Sequence, residues 1–128
     1  MFKLLYIVFG GALGAGLRFS VTLWSSRWIG IGFPWGTLAV NLLGSFAAGF
    51  VWAVLDRSGN PERVHALVLV GMLGAFTTFS AYALDSMTLF QDGKTGLAIT
   101  NILANNVGSI AAVFVGYLLA KSLIAPVK

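Results

Sequence analysis

The sequence has no cysteine, a single histidine and few charges, and each shortage removes a class of function. Without cysteine there is no disulfide framework, no CxxC redox centre and no thiolate zinc site. With His65 as the lone imidazole, an ordinary metalloenzyme goes with them. Charged residues make up only 9% of the chain, where a soluble domain carries about 25%. Together with a hydrophobic share of 58%, that figure argues against a water-soluble globule. Eight basic residues against four acidic ones leave a net charge of +4, but they are diluted among apolar runs and form no basic stripe for nucleic acid. Membrane-surface and orientation effects are the better use of that charge.

A bilayer core about 30 Å thick takes roughly 20 mostly apolar residues in a helix. Windows of that length run from Leu4 to Ser26, Phe33 to Leu55, Val64 to Phe90 and Leu97 to Ala120. Polar connectors separate them: Arg27 to Gly32, Asp56 to Arg63 with the turn signal Ser58-Gly59-Asn60-Pro61, and Gln91 to Gly96 with Asp92-Gly93. The chain therefore reads as one all-α membrane domain over 1–128, with nothing left over for a soluble domain. The stretch from Lys3 to Leu17, with small residues at Ala12 and Ala15, also has the make-up of a secretion signal. Cleavage would discard a glycine pattern and Arg18, and we read it as a span. Four spans put both termini on one side, so Lys3, Arg57, Arg63, Lys121 and Lys128 face Arg18, Arg27 and Lys94 across the bilayer. So weak a bias leaves insertion open in both orientations.

The interior of the spans holds residues that lipid-facing helices would not keep. Gly10, Ala12, Gly14 and Gly16 have small-xxx-small spacing and predict a close packing face. In the second span Thr37, Asn41 and Ser45 stand at i, i+4 and i+8, which keeps them within an arc of about 80°. Asn101, Asn105 and Ser109 repeat the pattern in the fourth span. Such neutral stripes serve either as interhelical glue or as the lining of a permeation path, and spacing does not choose between the two. Asn106 falls about 100° off the second stripe and is expected to find its partner on another helix. In the third span two glycines and a Thr-Thr pair, Gly71-Met72-Leu73-Gly74-Ala75-Phe76-Thr77-Thr78-Phe79-Ser80-Ala81-Tyr82, predict a helix break, tolerated at membrane depth only where it is buried or lines a cavity. Phe79 and Tyr82 share a face if helix resumes. Arg18, inside an apolar span, is a candidate functional charge, and Asp85 is the one candidate acid within the membrane.

Taken in order, Gly10-Gly11-x-x-Gly14-x-x-x-Arg18, Gly36-Thr37-x-x-Val40-Asn41-x-x-Gly44-Ser45-Phe46, Gly71-x-x-Gly74-x-x-Thr77-Thr78-Phe79-Ser80 and Asn105-x-x-Gly108-Ser109 resemble the CrcB (Fluc) fluoride channels. The resemblance covers all four spans. It implies an antiparallel, dual-topology homodimer in the cell inner membrane, with two pathways for passive fluoride export from the cytoplasm. Carried over by position, Asn41 is a pore-lining donor, Phe79 the first residue of the family's phenylalanine box, and Asn101, Asn105 and Ser109 the polar positions of the fourth helix. Thr37 and Ser80 join the pathway, and Arg18 is a vestibule or structural charge. A central Na+, bound by backbone carbonyls, falls on Gly74 and Thr77 of both subunits. Two departures stand out. Where the family usually reads Thr-Thr-Phe-Ser-Thr-Phe-Ser, this chain has Thr77-Thr78-Phe79-Ser80-Ala81-Tyr82-Ala83, so Tyr82 replaces the second phenylalanine and brings a hydroxyl; Ala75 stands where a second glycine is common.

Two rival readings come from other classes. A small multidrug-type, proton-coupled antiporter needs a membrane-buried carboxylate, and the first span has no Asp or Glu, leaving Asp85 alone for the task. A non-conducting assembly subunit would leave Arg18 and the predicted break without use. An enzyme is not expected, because no nucleophile-base pair or paired carboxylates can be placed.

Overall fold

The computed structural model describes residues 2–59 and 61–124; Asn60 of the second connector and Lys128 of the charge count lie outside them. The described elements are all helical: α1 (Phe2–Trp28), α2 (Trp35–Arg57), α3 (Glu62–Val64), a π-helical stretch (His65–Leu73), α4 (Gly74–Phe76), α5 (Phe79–Gln91) and α6 (Thr95–Ile124). Four stretches, 2–28, 35–57, 62–91 and 95–124, are long and apolar enough to cross a membrane. Hydrophobicity drives these residues out of water whichever way they face. In α1 and α6 only 11% of the apolar window is buried within the chain, against 39% in α2, which makes α2 the central helix.

Helix α2 packs most extensively on α6, and α1 on the π-helical stretch. Both contacts are made by glycine. A Cβ at Gly49 would meet the backbone carbonyl of Val113, and one at Gly116 the carbonyl of Phe46, so the α2 and α6 backbones touch with no side chain between them. Gly10 and Gly14 of α1 do the same against Leu67 and Met72. Ala12 and Gly16 are exposed, so the packing face of α1 is narrower than the spacing of its small residues implied.

The third stretch is the least regular. A π-helix with its i→i+5 bonds usually lasts a single turn, and nine residues of it, 65–73, lead into the short α4. The chain then turns extended: Thr77 has φ −78° and ψ 158°, and Thr78 φ −150° and ψ 115°. Thr78 restarts the helix as N-cap of α5, its hydroxyl accepting the Ala81 N–H at 3.2 Å. At the far end α5 stops at Gly93, whose φ of +73° suits glycine. The Lys94 N–H reaches Leu89 O at 2.9 Å and the Gly93 N–H reaches Phe90 O at 3.0 Å, a Schellman closure that turns the chain into α6.

Candidate functional site

The extended pair at Thr77–Thr78 frees backbone groups inside the apolar bundle, and Asn41 takes them up. Its Oδ1 accepts the Thr78 N–H at 2.7 Å, and its Nδ2 donates to Thr78 O at 3.1 Å. The side chain thus replaces a strand partner for one residue of extended backbone. Left bare in a low-dielectric interior, each of those groups would cost about 1–3 kcal/mol. Gly44, one turn further along α2, makes room for the same segment: a Cβ there would press on Thr77 Cγ2 and the Phe76 ring.

From Asn41 a chain of amides crosses to α6 and back to α5. Asn41 Nδ2 also donates to Asn105 Oδ1 at 2.8 Å. Asn105 Nδ2 donates to Asn101 O and to Asn101 Oδ1, both at 2.9 Å. Asn101, fully buried, donates to Ser86 Oγ at 2.9 Å and to Tyr82 O at 3.5 Å. One acceptor of each nitrogen is a backbone carbonyl, which cannot donate, so the orientation of all three amides follows from chemistry. Each amide has two N–H groups, and all six are spent within the protein. In this arrangement the three asparagines of the stripes act as glue between α2, α5 and α6.

A groove of about 260 Å³ runs beside that network, lined by Asn41, Ser45, Thr77, Thr78, Phe79, Tyr82, Asn105, Asn106, Ser109 and Ile110. No charged side chain lines it. The structure therefore gathers six of the expected site residues, Asn41, Thr77, Phe79, Tyr82, Asn105 and Ser109, around one space. Phe79 and Tyr82 meet edge to face, with ring centroids 5.0 Å apart at 73°, and Phe79 is 74% exposed on its outer side. The Tyr82 hydroxyl accepts from Asn106 Nδ2 at 2.9 Å, so the off-stripe asparagine does find its partner on another helix. Ser45 and Ser109 make no side-chain hydrogen bond among the described residues and present free hydroxyls to the groove.

Other expected residues lie elsewhere. Asn101 is sealed behind Asn105 and does not line the groove. Ser80 is exposed, its Oγ 3.5 Å from Thr78 Oγ1. Thr37 is buried and donates to Asp85 Oδ2 at 2.7 Å, in a second cavity of about 280 Å³ that also takes in Thr22, Asp92 and Lys94. Arg18 is half-buried on α1 and lines neither cavity. Gly74 is exposed at the end of the π-helical stretch. Its carbonyl and that of Thr77 lack their helical donors, because the Thr78 N–H goes to Asn41 and the Ala81 N–H to the Thr78 hydroxyl. The sequence marks Thr78 only as part of the break, not as the partner of Asn41 and N-cap of α5, and Ser86 is not singled out at all. The signal for Thr78 was a hydroxyl residue placed just before a helical run, the usual mark of an N-cap.

The family model described as CrcB-like protein, Camphor Resistance (CrcB), matches residues 5–117. A protein of Parabacteroides distasonis named fluoride-specific ion channel FluC is 40% identical over 128 residues, covering all of both chains. Proteins of the same name from Mesorhizobium japonicum and from Legionella pneumophila are 46% and 50% identical, over 96% and 91% of this chain and 99% and 88% of their own. With the match running through all four long apolar helices, this chain is a multi-pass membrane protein that belongs to the CrcB family.

Proposed function

We propose that the protein is a fluoride-selective channel, working as an antiparallel, dual-topology homodimer in the cell inner membrane and letting fluoride leave the cytoplasm down its electrochemical gradient. The observation that carries this reading is the uncharged polar groove at the extended Thr77–Thr78 segment, in a chain whose relatives are named as fluoride channels. Fluoride is small and strongly hydrated, and a path across lipid must replace its water with donors that release it again. Hydroxyls of Ser45, Ser109 and Tyr82 supply such donors, with the positive edges of the Phe79 and Tyr82 rings beside them. Asn41 faces the groove at the junction of the amide chain and the extended segment. A fluoride ion passing there draws one Asn41 N–H away from Thr78 O or Asn105 Oδ1, an exchange of one acceptor for another.

In this reading the third span is a helix broken at mid-membrane, and a second copy covers the open side of the groove. The exposed ring of Phe79, within a span and on the groove wall, supports that cover. The freed carbonyls of Gly74 and Thr77 suit a hard cation, which takes neutral oxygen ligands, and two subunits would supply four. A Na+ held there contributes a fixed positive charge near an anion path. Stability is then expected to depend on the cation: the thermal unfolding midpoint of the detergent-solubilised protein rises with added NaCl and not with choline chloride.

Purified protein in potassium-loaded liposomes tests the channel itself. After valinomycin is added, an electrode in the outer solution is expected to record fluoride release far above that of empty vesicles, with chloride release at background. Equal release from empty vesicles would end this reading. Neither rival gains support from the relatives, which are named as channels.

A further inference from the structure

We propose that Asn106 is a positioning residue that turns the Tyr82 hydroxyl into an oriented proton donor for an anion in the groove. The inference rests on the fluoride reading and adds a recognition device that the Tyr82 substitution brings to this chain. Asn106 Nδ2 lies 2.7 Å from Ile102 O, a carbonyl that can only accept, so the atom facing it must be the amide nitrogen. The same nitrogen lies 2.9 Å from Tyr82 Oη. It is therefore the donor there too, and the phenol oxygen accepts. A phenol has one proton, and with its oxygen already engaged as acceptor that proton is left for a third group.

The geometry limits where the proton can go. The Tyr82 ring is braced edge-on by Phe79, and both Tyr82 and Asn106 line the groove with Ser45 and Ser109. An amide N–H pressed on the phenol oxygen also polarises the O–H bond and strengthens it as a donor. Both N–H groups of Asn106 are spent, one on Ile102 O and one on Tyr82 Oη, so this residue acts on an anion only through the tyrosine. The occupant that chemistry selects is a small anion of high hydrogen-bond basicity. Fluoride fits, and chloride gains much less from a single strong donor.

The test pairs flux with a spectroscopic signature. Protein carrying tyrosine labelled with 13C at Cζ has three signals, from Tyr6, Tyr82 and Tyr117, and Tyr82→Phe deletes and so assigns the relevant one. In the wild type that signal is expected to shift as NaF is added and to stay still with NaCl. In liposomes Tyr82→Phe is expected to raise the fluoride concentration at half-maximal flux about tenfold, the weight of one hydrogen bond to a charged group. Asn106→Asp keeps the tyrosine but faces it with a carboxylate, which accepts the phenol's hydrogen bond. Its flux should fall at least as far as that of Tyr82→Phe, because the new charge also lines the groove, and its Tyr82 signal should be blind to fluoride. Asn106→Leu only releases the hydroxyl and should raise the same concentration about threefold, with no added effect on top of Tyr82→Phe.

A Tyr82 signal unmoved by fluoride, or an unchanged half-saturating concentration in Tyr82→Phe while the wild type conducts, overturns the inference. Failure of the wild type to release fluoride at all would instead sink the channel reading. The Tyr82 signal would then still decide whether the hydroxyl meets the anion.

Discussion

Replacing Asn41 by aspartate is expected to cut fluoride flux in liposomes at least a hundredfold, more than any substitution at a groove hydroxyl. The change is a single atom, yet it reverses two hydrogen bonds. In the wild type Nδ2 donates to Thr78 O and to Asn105 Oδ1. The first is an acceptor only. The second cannot exchange with its own nitrogen, which is committed to Asn101 O and Asn101 Oδ1. A carboxylate at 41 would face acceptors on both sides, and its charge would stand in the path of an anion. Two lost bonds of this kind, at about 1–3 kcal/mol each, reach a hundredfold near the low end of that range before repulsion is counted. Asn41→Leu separates the contributions, since it removes the same donors without adding charge. Its loss of flux should be smaller than that of Asn41→Asp. Equal, undiminished flux in both variants would remove Asn41 from the pathway.

The second large effect comes from a residue that never meets the groove. Gly49→Val places a side chain where the backbone of α2 touches the carbonyl of Val113 on α6, and no rotamer relieves a clash that begins at Cβ. The helices must separate there. Overpacking of this kind costs about 1–3 kcal/mol, and the strain is passed along the two helices to the Asn41 to Asn105 bond, 2.8 Å long. A bond of that kind is lost once the atoms move beyond about 3.5 Å. We expect at least a tenfold drop in flux, together with a lowered unfolding midpoint in detergent. Gly16→Val on α1, where a Cβ would meet open space, serves as the control and should leave the midpoint unchanged. Equal midpoints for the two variants would show that the α2–α6 approach does not support the site.

Much of this architecture was legible in the sequence because bilayer thickness imposes a length on every apolar run. The stripes of α2 and α6 were legible for a similar reason: an i, i+4, i+8 spacing puts Asn41 and Asn105 on single faces whatever the neighbours are. What spacing does not contain is the partner of each polar group. Thr37 and Asn41 share a face of α2, yet one binds Asp85 and the other the Thr78 backbone, because extended chain rather than helix lies opposite Asn41. The Thr-Thr pair announced an irregularity, and the extended dihedrals fall on those two residues. The nine-residue π-helical stretch before it left no mark, since a uniformly apolar run such as Ala66-Leu67-Val68-Leu69-Val70 has no polar residues to reveal its period. The choice between glue and lining was likewise invisible. It depends on counting N–H groups against carbonyls, and those carbonyls belong to residues whose identity is irrelevant.

The amide chain from Asn41 through Asn105 to Asn101 also bears on the energy economy of the membrane that holds it. A water file or a run of hydroxyls can hand protons along, because each member accepts at the same atom from which it donates. A carboxamide donates from nitrogen and accepts at oxygen, and relaying a proton between them would require an imidic acid tautomer. The wall that joins the two helices is therefore an insulator. It borders the polar groove without itself offering a path along which protons could leak and drain the proton-motive force.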